Sequence, residues 1–170
     1  LGADLGVRVD LDATVVTLTV PSDKLAEAFA IAAEVVREPR FDEGELTKLK
    51  ARMSDEAEEN RHSNGRFMAM RVLFQELFPA GPYSRVGLLP SEIAKTTGKD
   101  LRDLHAKWYV PKNVGVVFAG DVDAKAANAL VDKAFGKWKG GPAAAAPAIE
   151  FPAPKEIDKR RVIVAHRAKS

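Results

Sequence analysis

The chain has 170 residues, enough for one domain with its own core. Hydrophobic residues make up 46% and charged residues 29%, an ordinary globular balance, and a formal charge of +2 gives no strong electrostatic footprint for nucleic acid. Cysteine is absent, which excludes disulfides, thiolate metal sites and cysteine nucleophiles, and no apolar run reaches the ~20 residues a membrane span requires.

In chain order, Val7 to Val9, a turn at Asp10-Leu11-Asp12, and the β-branched run Ala13 to Val20 predict a β-hairpin. Pro21 ends its second strand, and Ser22 is a suitable N-cap for a helix whose apolar face carries Leu25, Ala28, Phe29, Ala32, Val35 and Val36, stopping before Pro39. Asp42 is expected to cap a second helix running to about Arg61, with Leu46, Leu49 and Met53 as its apolar seam. Asn64-Gly65 interrupts the pattern. A third, more buried helix comes next through Phe67, Met70, Val72, Leu73, Phe74 and Leu77, and a short helical turn over Ser91 to Ala94 comes after Pro90. Thr97 is expected to cap a helix through Leu101, Leu104, His105 and Trp108, closed by Pro111.

The continuous apolar run Val114 to Ala119 predicts a central strand buried on both faces, before Gly120-Asp121 leads into a helix bearing Ala127, Leu130, Val131, Ala134 and Phe135. The Pro- and Ala-rich stretch after that helix predicts an extended linker over 139–156, and residues 157–170 open a further strand with Val162 to Ala165. Leu1-Gly2-Ala3-Asp4 has no initiator Met, and the last strand stops as it begins, so the sequence reads as an internal piece of a longer chain. The fold class expected is α+β, a mixed β-sheet with helices packed on one face.

Candidate chemistry is sparse. His62, His105 and His166 form no zinc-binding histidine motif, and neither a Gly-rich phosphate loop nor a nucleophilic serine elbow is present. Glu58 and His62, four apart, share a helix face and are expected to be an exposed pair, while His105 lies among apolar positions as a partly buried packing residue. The notable group is Glu56. On a helix it continues the stripe Leu46, Leu49, Met53, with Asn60 beyond, and a carboxylate facing a core is costly unless paired or bound to a cation. The alternative is a seam that drifts to Ala57 and leaves Glu56 in water.

Several short motifs follow one another along the chain. These are the hairpin, the helix from Ser22, and Glu38-Pro39-Arg40-Phe41 before an acidic helix. Leu77-Phe78-Pro79 with Gly81-Pro82-Tyr83 and Gly87, and the helix start at Thr96-Thr97-Gly98, come next. Tyr109-Val110-Pro111-Lys112-Asn113, a strand ending in Gly120-Asp121, and Ala134-Phe135-Gly136-Lys137-Trp138 complete the series. In this order they resemble the pitrilysin/insulinase family of zinc metallopeptidases, which includes the mitochondrial processing peptidase. The resemblance covers roughly 1–138 and implies a LuxS/processing-peptidase-like α+β repeat, truncated at both ends, with a linker and the first strand of another domain after it.

The resemblance also implies a zinc endopeptidase that cleaves peptides in a closed chamber completed by a homologous second repeat or subunit. Zinc would be held by a His-x-x-Glu-His segment preceding Leu1 and by a later Glu, to which Glu56 corresponds as third ligand; the catalytic residues themselves would lie in that preceding segment. Where active members carry another Glu near the zinc, this sequence has Leu49, and an acidic stretch typical of active members is replaced by Arg61-His62-Ser63-Asn64. These departures resemble the non-catalytic repeats of the family, which complete the chamber without binding metal. An unrelated α+β interaction module is a third reading. The family and the Ala-rich composition point to a bacterial periplasm or cell envelope.

Overall fold

The computed structural model describes residues 1–79, 82–141 and 162–164. They fall into two compact units. The first comprises Leu1–Phe41 and Lys99–Ala145; the second comprises Asp42–Gly98 and Ala146–Ser170.

In the first unit, strands β1 (Asp4–Val9) and β2 (Thr14–Thr19) pair antiparallel, with Val7 opposite Val16. The turn closes through Asp10 N–H donating to the Ala13 carbonyl at 2.8 Å, as the Asp-Leu-Asp sequence requires. Pro21 ends β2, but Ser22 does not cap the helix; Ser22–Lys24 form a 3-10 turn, and α1 (Leu25–Arg37) starts behind it. Helix α1 packs on β2 and on α6 (Ala124–Phe135), and it buries Ala28, Ala32 and Ala33. Phe29 meets Phe118 at 5.3 Å and Phe135 at 5.9 Å between ring centroids, both favourable tilted or edge geometries. Helix α5 (Gly98–Trp108) begins directly after Thr97 and ends before Pro111, and α6 takes its cap from Asp123, whose carboxylate accepts from Ala126 N–H at 2.7 Å.

The run Val114 to Ala119 departs from expectation. It joins no ladder among the described residues, and Val117 is 91% exposed while Phe118 turns inward onto α1. An apolar run is buried on both faces only when strands flank it, and none does so among the described residues. The α+β class holds: the described residues comprise mostly helices and one two-stranded antiparallel sheet.

In the second unit, α2 (Glu43–Ser63) is capped by Asp42, which accepts from Glu45 N–H at 3.0 Å. Asn64 ends it and caps α3 (Gly65–Leu77), accepting from Phe67 N–H at 3.1 Å. Helix α3 is less buried than expected. None of its residues is fully buried, and Met70, Leu73 and Leu77 form an exposed stripe. The face beside that stripe, with Phe67, Met68, Arg71, Val72 and Phe74, is half-covered, and beyond the helix end Phe74, Phe78 and Tyr83 contact in sequence at 5.7 and 5.3 Å. Helix α4 (Pro90–Lys95) contributes buried Ile93 and packs on α2.

Gly87 sits at φ 74°, a left-handed conformation, and an added Cβ would lie 3.1 Å from Phe67 Cζ. The Gly87 carbonyl accepts from Arg71 Nη1, so the turn is fixed from both sides. Gly87→Ala is expected to lower stability by about 1–3 kcal/mol in urea denaturation, from left-handed backbone strain plus displacement of the ring.

Candidate functional site

Glu56 lies in the fourth turn of α2, and the rotation of that helix decides what it can do. The residues turned toward neighbours are Leu46, Lys50, Ser54, Ala57 and Asn60, with Ala57 buried. Leu49, at 40% exposure, and Met53, at 38%, lie one step round the helix, and Glu56 lies further out in solvent. The seam therefore drifts to Ala57, the alternative left open by the sequence. Among the described residues Glu56 makes no hydrogen bond or ion pair, so its carboxylate is available.

Lys50 supplies the reason for this rotation. Its Nζ donates to the Ala94 carbonyl at 2.7 Å and the Thr96 carbonyl at 2.6 Å, closing the C-terminal end of α4. The hydrophobic pattern ranked Leu49 and Met53 above Lys50 and so missed it. A lysine preceding two carbonyl-rich turns carries no local signal in the sequence.

The other candidates resolve simply. Glu58 Oε1 and His62 Nε2 are 2.7 Å apart, Arg61 stands 3.8 Å from Glu58 Oε2, and both members of the Glu58–His62 pair are about half exposed, an i,i+4 surface contact. His105 is a packing residue, as expected. Its Nε2 lies 2.8 Å from the Val36 carbonyl and donates to it, its ring stacks on Tyr109 at 4.6 Å, and Phe41 makes a T-shaped contact with it at 5.6 Å between centroids. Phe41 is held at φ 48°, an uncommon conformation for a side-chain-bearing residue. His166 lies outside the described residues. Lys99 is held above its ordinary range by its hydrogen bond to Asp103 and by the charge of that carboxylate, a pairing at the exposed surface.

No group of three His, Asp or Glu side chains able to hold a metal ion occurs among the described residues. Glu56 offers one carboxylate, whereas a zinc centre needs three or four donors, so the described residues do not by themselves fit the ion.

The family model described as peptidase M16 inactive domain matches residues 95–169. The solved structure of a peptidase M16 inactive domain from Pseudomonas fluorescens superposes with a TM-score of 0.79 at 30% identity, covering 89% of this chain and 37% of that one. The chain belongs to the M16, or pitrilysin/insulinase, peptidase family. Two more distant structures show the same fold at 22% identity. One is a protease from Helicobacter pylori, with a TM-score of 0.75 and coverage of 91% of this chain and 38% of that one. The other is the periplasmic protease PqqL from Escherichia coli, with a TM-score of 0.71 and coverage of 89% and 17%. No curated protein matches the chain in sequence. This M16 chain thus spans less than two-fifths of the length of the solved structures it matches. No helix among its described residues is long and apolar enough to cross a membrane.

The placement of Glu56 has a direct mutational consequence. Glu56→Gln is expected to change stability by no more than about 0.5 kcal/mol, as for an exposed site without partners among the described residues. Ala57→Glu, one residue on, is expected to cost about 2 kcal/mol or more by burying a charge and overfilling the contact. Paired urea denaturation curves read both, and equal effects at the two positions would reverse the assignment of the helix face.

Proposed function

We propose that this M16 chain is part of a non-catalytic peptidase repeat, which helps enclose a peptide-binding chamber together with a homologous second repeat or subunit. The likeness that carries this reading is the 30%-identical fold match to a peptidase M16 inactive domain. The family match over 95–169 bears the same description. Leu49, on the same helix edge as Glu56, agrees with it, because it supplies no charge where active relatives carry a carboxylate.

In this reading residues 1–138 form the peptidase-like repeat, 139–156 serve as a linker, and 157–170 begin the next domain. The linker lies largely outside the described residues, as does most of the last segment, of which 162–164 are exposed. Peptide is the ligand class, bound through chamber shape rather than by a charged patch, in keeping with the near-neutral chain. The periplasm is the proposed compartment, supported by the periplasmic description of PqqL.

A second reading is favoured by one observation, the exposed and available carboxylate of Glu56. In a catalytically active parent it would be the third zinc ligand, beside two histidines of the preceding segment. The bound ion would then supply Lewis-acid activation of water, and this chain would contribute only the carboxylate.

Zinc titration of the full-length protein and its Glu56→Gln variant separates the two, alongside cleavage of an internally quenched peptide. The non-catalytic reading expects the same zinc affinity in both proteins and no chelator-sensitive cleavage by the repeat alone. A loss of zinc affinity of tenfold or more on Glu56→Gln, with loss of cleavage, would establish the second reading instead.

A further inference from the structure

Strand β1 keeps an open edge and an uncovered apolar face. Its side chains alternate, with Leu5, Val7 and Val9 on one face and Asp4, Gly6 and Arg8 on the other. On β2 the residues opposite Leu5 and Val7 are Leu18 and Val16, half-buried where α1 packs on that strand. On β1 the same face stays in solvent, with Val7 61% and Val9 75% exposed. The sheet ends at β1 among the described residues. The strand carries no lysine, proline or bulge, features that commonly keep an edge from pairing.

The backbone decides which groups that edge offers. Asp10 N–H bonds the Ala13 carbonyl across the turn, so the pairs exchanging hydrogen bonds within the hairpin are Arg8 with Val15, Gly6 with Thr17 and Asp4 with Thr19. The N–H and C=O groups of Leu5, Val7 and Val9 therefore point outward. An antiparallel neighbour has to set its own outward residues against these, which leaves few registers. When the neighbour is a second β1, Leu5 against Val7 places Asp4 opposite Arg8 twice by symmetry, with Gly6 opposite Gly6 on the twofold axis. Leu5 against Leu5 would set Asp4 against Gly6, and Leu5 against Val9 would set Asp4 against Asp10. One register alone joins the outward backbone groups, the apolar faces and the opposite charges.

The side chains are available for it. The Asp4 carboxylate has no hydrogen bond or ion pair among the described residues. Arg8 holds Asp10 at 2.9 Å, but both are exposed, and the guanidinium has donors for a second carboxylate. No heavy atom lies within 4 Å of an added Cβ at Gly6, so another strand can approach that face without obstruction.

We propose that two copies of this chain pair through β1, antiparallel about Gly6, with Leu5 against Val7 on the apolar face and Asp4 against Arg8 on the polar one. The interface goes beyond the chamber reading and involves neither zinc nor Glu56, so either can fail without the other.

The test is sedimentation of the full-length protein over a concentration series, with amide hydrogen exchange measured at both ends of the series. A dissociation constant of about 100 μM is expected, as for a small interface. The outward amides of Leu5 and Val7 should exchange freely in dilute solution and become protected on concentration, while those of Gly6 and Arg8 stay protected throughout. Asp4→Arg and Arg8→Asp, both at exposed positions, are each expected to weaken association about tenfold, because symmetry turns two attractive pairs into repulsive ones. The double variant Asp4→Arg, Arg8→Asp restores opposite charges and is expected to regain most of the loss. A protein that stays monomeric at about 1 mM, single charge variants that associate as well as the parent, or a double variant weaker than both singles would each overturn the proposal. Protection of Leu5 and Val7 in a protein that sediments as a monomer would overturn it too, by giving the edge to another strand of the same molecule.

Discussion

Carbonyl groups left without partners at the ends of helices and turns are the constraint on which each unit depends. Helix geometry leaves the last carbonyls of every helix free, and a buried one must find a donor. In the first unit Arg37 reaches the Ala134 carbonyl at the end of α6. In the second, Lys50 bridges the Ala94 and Thr96 carbonyls, and Arg71 donates to the Gly87 carbonyl while facing Glu92 at 3.6 Å. Each is a long basic side chain with an aliphatic stem that can lie along apolar surface while its head meets acceptors. The arrangement suits a chain whose buried apolar residues, among those described, are mostly alanines, with Ile93 and Val110 the larger ones. Alanines contribute little apolar area but allow backbones to approach, so charged heads and carbonyls fix where the helices lie.

The rotation of α2 shows how this constraint overrides hydrophobic pattern. Ranked by side chain alone, Leu49 and Met53 outweigh Lys50 and Ser54, and a seam through them would carry Glu56 toward the interior. Desolvating that carboxylate without a partner would cost several kcal/mol. Turning the helix so that Lys50 meets two carbonyls and Ala57 makes the close contact avoids the cost at a small loss of apolar burial. Glu56 and the half-exposed Leu49 and Met53 then form one edge, with the carboxylate outermost.

Signals that act within a few residues were legible. The Asp10 to Asp12 turn, the Asp42 and Asn64 caps, and the stops at Pro39 and Pro111 are decided by local backbone chemistry and appear where the sequence places them. The Ser22 cap is the local exception, displaced by the 3-10 turn before α1, and the other failures depend on partners remote in the chain. Val114 to Ala119 has the composition of a central strand, but composition does not supply a ladder. Helix α3 has apolar residues around much of its circumference, from half-covered Phe67, Val72 and Phe74 to the exposed Met70, Leu73 and Leu77, and periodicity could not say which face would be covered. Arg37 was invisible for the same reason as Lys50, since its partner Ala134 is 97 residues away.

The family resemblance named Glu56 as a position, and the structure gives it physical content without giving it chemistry. An exposed carboxylate with no partner among the described residues is nearly free of consequence for their folding, so stability places little demand on it. Its neighbour on the edge carries more information. A second carboxylate at Leu49 would add to the negative potential beside any dication held at Glu56 and strengthen the attraction, whereas two such carboxylates without a cation would repel each other. A leucine at that position, 40% exposed, gives neither effect. This edge of α2 therefore needs no ion to be stable, and any ion it holds would have to be gripped chiefly by donors on other segments. That asymmetry is what a repeat retained for its shape, rather than for its chemistry, would display.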